Sequence, residues 1–587
     1  MIETENILGA FRDFLKDHKG FLSSDALNAH PAKGDQDDCG NPALAWMSPG
    51  ALPDPKTGCI IGVIDDAIPF VHQRFTLPGI LSRMAAVWLQ DARPRAGRTT
   101  DLPFGAEWRG AELSALLAGD TGGEDAIYRH TGAVDMTRPA TPSGAFETGH
   151  GAAVAPLAAG FDPSCRRARN HPVIAVCLPP RITADSTGAL APVPILAGIL
   201  FIINRARRLC RFIERQGHGP AHLPVVINIS LGLTAGSRDG SSLLERFMDA
   251  VSAQQVADLG PVHFVLPAGN HRQDRLRARL LPGQSVGWRL PPDDTTINAI
   301  EIWGPPQNDP PCGGLQITLT VPGLGPATTA FTKPGQCSIL SGPDGIPLAR
   351  AYYTPQQTRG GKWRDGIAVI ATPTCPERLG DPFAPPGEWR VGIAKGLPGA
   401  RHDLSVQRDA VIRGFRRGAR QSWFHDPPYR SQDPSGFPIP SDDKNGGPSL
   451  VIRQDTINTY ATGDWPLRAG AVCGQGNDAA IYTALLDADS LGGDIRPGDC
   501  MVPVDRARNS PGMIVCGRDS GSFTLASGTS LAAPQLTRWL ARQLSEGKTP
   551  AGRTAIRRLA WNETTPNQIL PSTATPVIGL SARFKDY

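Results

Sequence analysis

The sequence predicts an α/β fold: a parallel sheet flanked by helices, with an inserted β-sandwich-like domain. Three observations carry that expectation. The stretches "GCIIGVI" (58–64), "HPVIAVCLP" (171–179), "PVVINISLG" (224–232) and "PVHFVLPAG" (261–269) are short, nearly continuous apolar runs, as expected of strands buried on both faces. Long helical stretches separate them, "APVPILAGILFIINRARRLCRFIERQG" before the third and "SSLLERFMDAVSAQQVADLG" before the fourth. Buried strands alternating with helices imply parallel pairing with helices on both sides. From residue 277 to about 435 the style changes to short segments broken by Pro and Gly, such as "SVGWRLPPDD", "LQITLTVPG" and "GEWRVGIAKG". Alternation with turn signals at that frequency implies an antiparallel sandwich.

Along the chain, residues 1–55 read as an N-terminal helix, "MIETENILGAFRDFLKDHKG", followed by a Pro/Gly-bearing linker. The α/β domain occupies 56–276, the β-rich insertion 277–435, and the second part of the α/β domain 436–548. Its return is expected near "LVIRQDTINTYATG" (450–463), after the linker "HDPPYRSQDPSGFPIPSDDKNGGP" (425–448). Residues 549–587 read as a C-terminal tail.

With 587 residues the chain exceeds one ordinary core, and 40% hydrophobic with 19% charged residues describes a globular protein. A net charge of +4 gives no electrostatic argument for nucleic acid. The densest basic run, "NRARRLCR" (204–211), is expected to be a solvated helix face. "ILAGILFII" (195–203) is too short to span a membrane, and the N-terminus lacks the pattern of a signal peptide. The 11 cysteines contain no CxxC pair. Free thiols in a cytoplasmic setting, with no zinc site and no membrane, are therefore expected.

"FTLASGTSLAAPQLTRWLA" (523–541) places Gly528, Thr529 and Ser530 in front of a helical pattern, with Pro534 in its expected first turn. Serine there is an ordinary helix cap, or it is a nucleophile held at a strand-to-helix junction. Three other stretches bear on that choice. Asp65 follows the first buried strand in "GVIDDAIPFVHQRF", where the carboxyl ends of parallel strands gather ligand chemistry. Alone, it reads as a turn-forming Asp. His150 lies in "ETGHGAAVAPLAAG", and the small residues after it argue that something approaches closely. Asn270 ends "FVLPAGN", where it is either a turn residue or an amide donor to an oxyanion.

Together these stretches resemble the subtilisin-like serine peptidases (subtilases, peptidase S8 type). The resemblance rests on Asp65 with His72 and Phe75, on His150 with Gly151 and Val154, on "INISLG", on "AGN", and on "SGTSLAAP" around Ser530. The order Asp, His, Asn, Ser is the subtilase order. The match covers roughly 58–276 and 450–545. It implies a subtilisin-like sheet and a serine endopeptidase acting on protein or peptide substrates through an acyl-enzyme. Ser530 would be nucleophile, His150 general base and acid, and Asp65 the orienting carboxylate. Asn270 and the Ser530 N–H would form the oxyanion hole. Ser230, Leu231 and Gly232 would form one wall of the primary specificity cleft, and Ala268 and Gly269 the other.

The sequence departs from the family pattern after the catalytic Asp, where Asp66-Ala67 replaces the usual Thr/Ser-Gly. Asp66 is either a hydrogen-bonded turn residue or, since the kexin-like branch also carries a second Asp, a cleft-facing residue that binds a basic substrate side chain. Ala153 stands where a second His is common. Arg74 replaces a calcium-binding Asp of many subtilases, so no cofactor and no metal are expected. The alternative to an active peptidase is a catalytically weak subtilase-like scaffold that binds a protein partner through its β-rich insertion.

Overall fold

The computed structural model describes residues 45–578 except 96–100, 120–121, 138–142, 146, 186, 189, 255, 312, 379, 411–417, 441, 443–448, 475–477, 487–495, 508–510 and 565–574. The expected N-terminal helix and most of its linker lie outside the described residues.

Strands β1 (Ile60–Asp65), β2 (Met84–Leu89), β3 (Ala106–Arg109), β4 (Val173–Cys177), β5 (Val225–Ile229), β6 (Val262–Pro267), β7 (Leu467–Cys473) and β8 (Cys500–Asp505) form one sheet. Its order is β8-β7-β6-β5-β1-β4-β2-β3, and every pairing is parallel except β2 with β3. β1 is central, with Ile61 opposite Val173 of β4 on one side and Val226 of β5 on the other. The chain builds outward from β1 in both directions, which opens a crevice at the carboxyl ends of the central strands.

Four helices cover the sheet: α1 (His150–Ala159), α2 (Pro192–Ile213), α3 (Leu243–Ala253) and α4 (Thr529–Ser545). Side chains of a strand alternate between its faces, and β1 divides accordingly. Ile60 and Ile64 join Ile195, Ile199 and Phe247 of α2 and α3 in one core. Ile61 and Val63 join Val154, Leu157, Leu536 and Leu540 of α1 and α4 in the other. Both faces are therefore dry, which is why these strands read as unbroken apolar runs.

Among its described residues the insertion holds two large antiparallel sheets and a two-stranded one, Gln356–Gln357 with Trp363–Arg364. One large sheet runs Ala327–Thr328, Gln316–Thr320, Gly387–Lys395, Ser285–Leu290, Trp423–His425. The other runs Cys337–Ser341, Pro347–Tyr353, Gly366–Ala371, Asn298–Trp303, His402–Val406, Arg277–Leu280. Their inner faces share a core that includes Trp288, Trp389, Ile300, Val369 and Phe424. The Trp288 and Trp389 rings meet edge to face at 5.9 Å.

Three local expectations are corrected. The basic run on α2 is not a solvated face: Arg205 is 1% exposed. Its guanidinium sits between Glu107 of β3 (2.9 Å) and Asp101 (2.8 Å), while Arg207 and Arg211 engage Asp258. The chain rejoins the α/β domain within 450–463, but later than its start: Ile457, Tyr460 and Ala461 belong to the core of the parallel sheet, and β7 follows at Leu467. Val451 instead bridges to Ala278 and joins the sandwich core. The tail holds a helix, Gly552–Thr564, with Ile556 and Ala560 buried.

The nine described cysteines are free thiols, and no helix among the described residues is long and apolar enough to cross a membrane.

Candidate active site

Asp65 closes β1 and is fully buried. Its Oδ1 accepts hydrogen bonds from His150 Nδ1 at 2.7 Å and from the Asp66 N–H at 2.8 Å. A carboxylate can only accept, so the His150 proton sits on Nδ1 and leaves Nε2 to act as base. His150 is the first residue of α1, and its side chain is 38% exposed. Gly151 is required by packing: a Cβ there would lie 1.8 Å from the Asp66 carbonyl oxygen. The end of β1 thus presses on the start of α1, and the imidazole is held over the strand end.

Burial works against charge on His150, but Asp65 and then Asp66 outweigh it and push its pKa up to about 9. Burial, reinforced by Asp65, pushes the Asp66 carboxyl up to about 6.

The expectation that Asp66 faces the cleft is corrected. Its side chain is buried, 4% exposed, and takes the Gly151 N–H at 3.4 Å and the Thr183 hydroxyl. The next residue, Ala67, has φ +45°, the left-handed region in which the family's usual glycine is unstrained.

Asn270 follows β6. Its Oδ1 accepts from Thr529 N at 2.8 Å and from Thr529 Oγ1 at 2.9 Å. The amide nitrogen lies against Gly528, where a Cβ would be 2.9 Å from Nδ2 and where φ is +121°. These two contacts account for Gly528 and Thr529 in the motif. Gly528 is the residue that caps α4, so Ser530 is not a cap; it is the second helical residue, half-buried. Its N–H belongs to the first turn, where such groups have no partner within the helix, and the helix dipole favours negative charge there. Pro534 falls in the second turn and, lacking an N–H, leaves the Ser530 carbonyl without its i+4 donor.

The two segments expected as walls follow the adjacent parallel strands β5 and β6. Ser230 is 1% exposed and its Oγ accepts from Asn228 Nδ2 at 2.9 Å, so its side chain is turned inward. Leu231 and Gly232 are half-buried, and Ala268 and Gly269 are buried.

Residues 458–460, which no sequence signal singled out, stitch these walls together. Asn458 N donates to Ala268 O and Asn458 Nδ2 to Pro267 O, both at 2.9 Å. Thr459 N donates to Leu233 O at 2.9 Å, and the Tyr460 hydroxyl reaches Ile229 O at 3.1 Å and Leu231 O.

His72 is buried and serves the turn: its Nδ1 accepts from Arg74 N at 3.0 Å, and burial lowers its pKa to about 4. The Arg74 carbonyl accepts from Phe161 N and from Arg83 Nη2, each at 2.9 Å.

No protein-family model matches the chain, and no curated protein matches it. A solved structure of the Clostridium perfringens CspB protease does, with a TM-score of 0.59 and 16% identity over 90% of this chain and 95% of that one. The fold is subtilisin-like. At 16% identity the likeness concerns the fold alone. Within it, Asp65 and His150 are in direct contact, and Asn270 is tied to the residue that precedes Ser530.

Proposed function

We propose that the chain is a serine endopeptidase that cleaves proteins or peptides through a Ser530 acyl-enzyme. The observation that carries this reading is the His150–Asp65 hydrogen bond, 2.7 Å long, at the carboxyl end of the central strand. His150 Nε2 takes the proton of the Ser530 hydroxyl as that oxygen attacks the scissile carbonyl. Asp65, buried and acceptor-only, holds the ring and stabilises the imidazolium. Negative charge on the tetrahedral oxygen is met by Asn270 Nδ2 and the Ser530 N–H. The imidazolium then protonates the leaving amine, and water, activated by the same base, releases the acyl group. An extended peptide would lie along the walls at 230–232 and 268–269 as an added strand.

The test is fluorophosphonate labelling of the purified chain, with Ser530→Ala as control. Labelling that depends on Ser530 supports the peptidase. A folded chain that does not label supports the scaffold reading, in which the β-rich insertion binds a partner.

A further inference from the structure

Tyr482 lies between β7 and β8, in a segment that none of the quoted motifs includes. That segment is fastened to β7: Ala480 N donates to Ala471 O at 2.8 Å, and Thr483 Oγ1 donates to the same carbonyl at 3.2 Å. It also brackets Asn270. Arg272 N donates to Tyr482 O at 3.2 Å, and Ala484 N donates to Gly269 O at 2.9 Å. The residues on either side of Asn270 are thus tied to one short stretch of chain.

The half-buried Tyr482 side chain reaches the other partner of the site. Its hydroxyl oxygen accepts the Gly528 N–H at 3.2 Å. Gly528 is buried and caps α4, so that N–H has no acceptor within the helix. Asp505, the last residue of β8 and 6% exposed, orients the hydroxyl. A carboxylate only accepts. Asp505 Oδ1 takes the Ser527 hydroxyl and the Gly512 N–H, each at 2.6 Å, and the Asp505 carboxylate also takes the Tyr482 proton. The phenol oxygen is left as the acceptor for Gly528. Burial pushes the Tyr482 pKa up, which keeps the hydroxyl protonated.

We propose that Tyr482 is a positioning residue of the oxyanion hole, whose hydroxyl, oriented by Asp505, sets Asn270 Nδ2 and the Ser530 N–H relative to each other. The proposal rests on the serine-peptidase reading. Gly528 is the residue against which Asn270 Nδ2 rests, since a Cβ there would lie 2.9 Å from that nitrogen. Thr529 holds the other end of the same amide through its N–H and Oγ1. Ser530 follows directly. A shift of Gly528 therefore moves both donors, and Tyr482 is bonded to Gly528 by its hydroxyl and to the Asn270 segment by its main chain. Donors of this kind act because they are set in advance where the charge develops, and a misplacement of about 1 Å costs up to about 10²-fold in rate.

The test is hydrolysis of the best-cleaved peptide of a mixed library by the full-length protein, wild type against Tyr482→Phe, which removes one oxygen and keeps the ring. kcat should fall about tenfold with KM unchanged. The acid limb of the kcat/KM profile, which reports His150, should stay in place. The decisive readout is the cycle with Asn270→Ala. In that background Tyr482→Phe should cost no more than about threefold, because the donor it aligns is gone. Asp505→Asn removes the carboxylate that orients the hydroxyl; it should show the same kcat loss in weaker form, and it serves as the second variant if Tyr482→Phe does not fold. A kcat within about twofold of wild type, a loss carried by KM, or full additivity with Asn270→Ala overturns the proposal. Fluorophosphonate labelling of wild-type Ser530, run in parallel, separates the two readings. Labelling together with an unimpaired Tyr482→Phe overturns the positioning role alone. A folded wild type that neither labels nor hydrolyses peptide overturns the peptidase and this role with it.

Discussion

β1, β5 and β6 are buried at every position, whereas Gln316–Thr320 alternates between half-buried and buried, and Cys337–Ser341 between exposed and half-buried. The difference follows from what covers each sheet. Helices lie on both faces of the parallel sheet, so polar side chains emerge at strand ends and helix starts, as Asp65, His150, Asn270 and Ser530 do. Each sheet of the insertion has one inner face and one outer face, and its core is separate from the two cores of the parallel sheet. The contact between the two regions is largely polar. Gly236 N donates to Glu301 (2.7 Å), Arg238 to Ser405 (2.7 Å), and Arg277 pairs with Asp455. The first two contacts fall on the loop that follows Ser230–Gly232. The comparison teaches a division of labour in which the parallel sheet carries the groups of the proposed chemistry and the insertion braces the loop after Ser230–Gly232.

That division can be broken most severely at Ser530. Ser530→Ala should lower kcat by about 10⁶ and abolish labelling while the circular dichroism spectrum is unchanged; activity near wild type would move the chemistry elsewhere. Asn270→Ala should lower kcat by about 10²–10³ with little change in KM, because its hydrogen bond forms mainly in the transition state. A change confined to KM would make Asn270 a binding residue.

Asp455→Asn probes the brace. It leaves the buried Arg277, whose side chain is 3% exposed, without its close carboxylate, and should cost about 3 kcal/mol in urea unfolding. A loss under about 0.5 kcal/mol, the range of an ordinary surface change, would mean that this pair does not hold the two regions together.

The pH profile sharpens the description of the parallel sheet. The base must be neutral, and a pKa raised to about 9 means that kcat/KM climbs through neutral pH and levels off near that value. Asp66→Asn removes a negative charge that stabilises the imidazolium, so its acid limb should lie at lower pH and its activity near neutrality should rise. An unmoved limb would remove Asp66 from the electrostatics of His150. The smallest effect is expected from Ala67→Gly, which relieves the backbone at φ +45° and should raise stability by about 0.5–1 kcal/mol.

Much of the parallel sheet was legible because its strands are dry on both faces. Val173–Cys177, Val225–Ile229 and Val262–Pro267 fall inside the quoted apolar runs, and Ile60–Asp65 extends its run by Asp65 alone. β2, β3, β7 and β8 were not singled out. β3 is an edge strand that carries Glu107 and Arg109, so its composition does not mark it as buried. The close approach foreseen after His150 is the Asp66 carbonyl, which leaves no room for a Cβ at Gly151.

The sequence by itself determined which side chains end the central strands and begin the covering helices. Strand ends and helix starts are local features, written within a few residues of the chemistry they carry. Tertiary structure alone decided where the charges went and which segment ties 229–233 to 267–268. Arg205 is buried because Glu107, 98 positions away, accepts its guanidinium. Asp66 is turned inward because Gly151, 85 positions away, offers its N–H. Asn458 reaches Pro267 across 191 positions, with the insertion threaded between them. Such pairings depend on how distant segments pack, and no local pattern of apolar and polar residues encodes them.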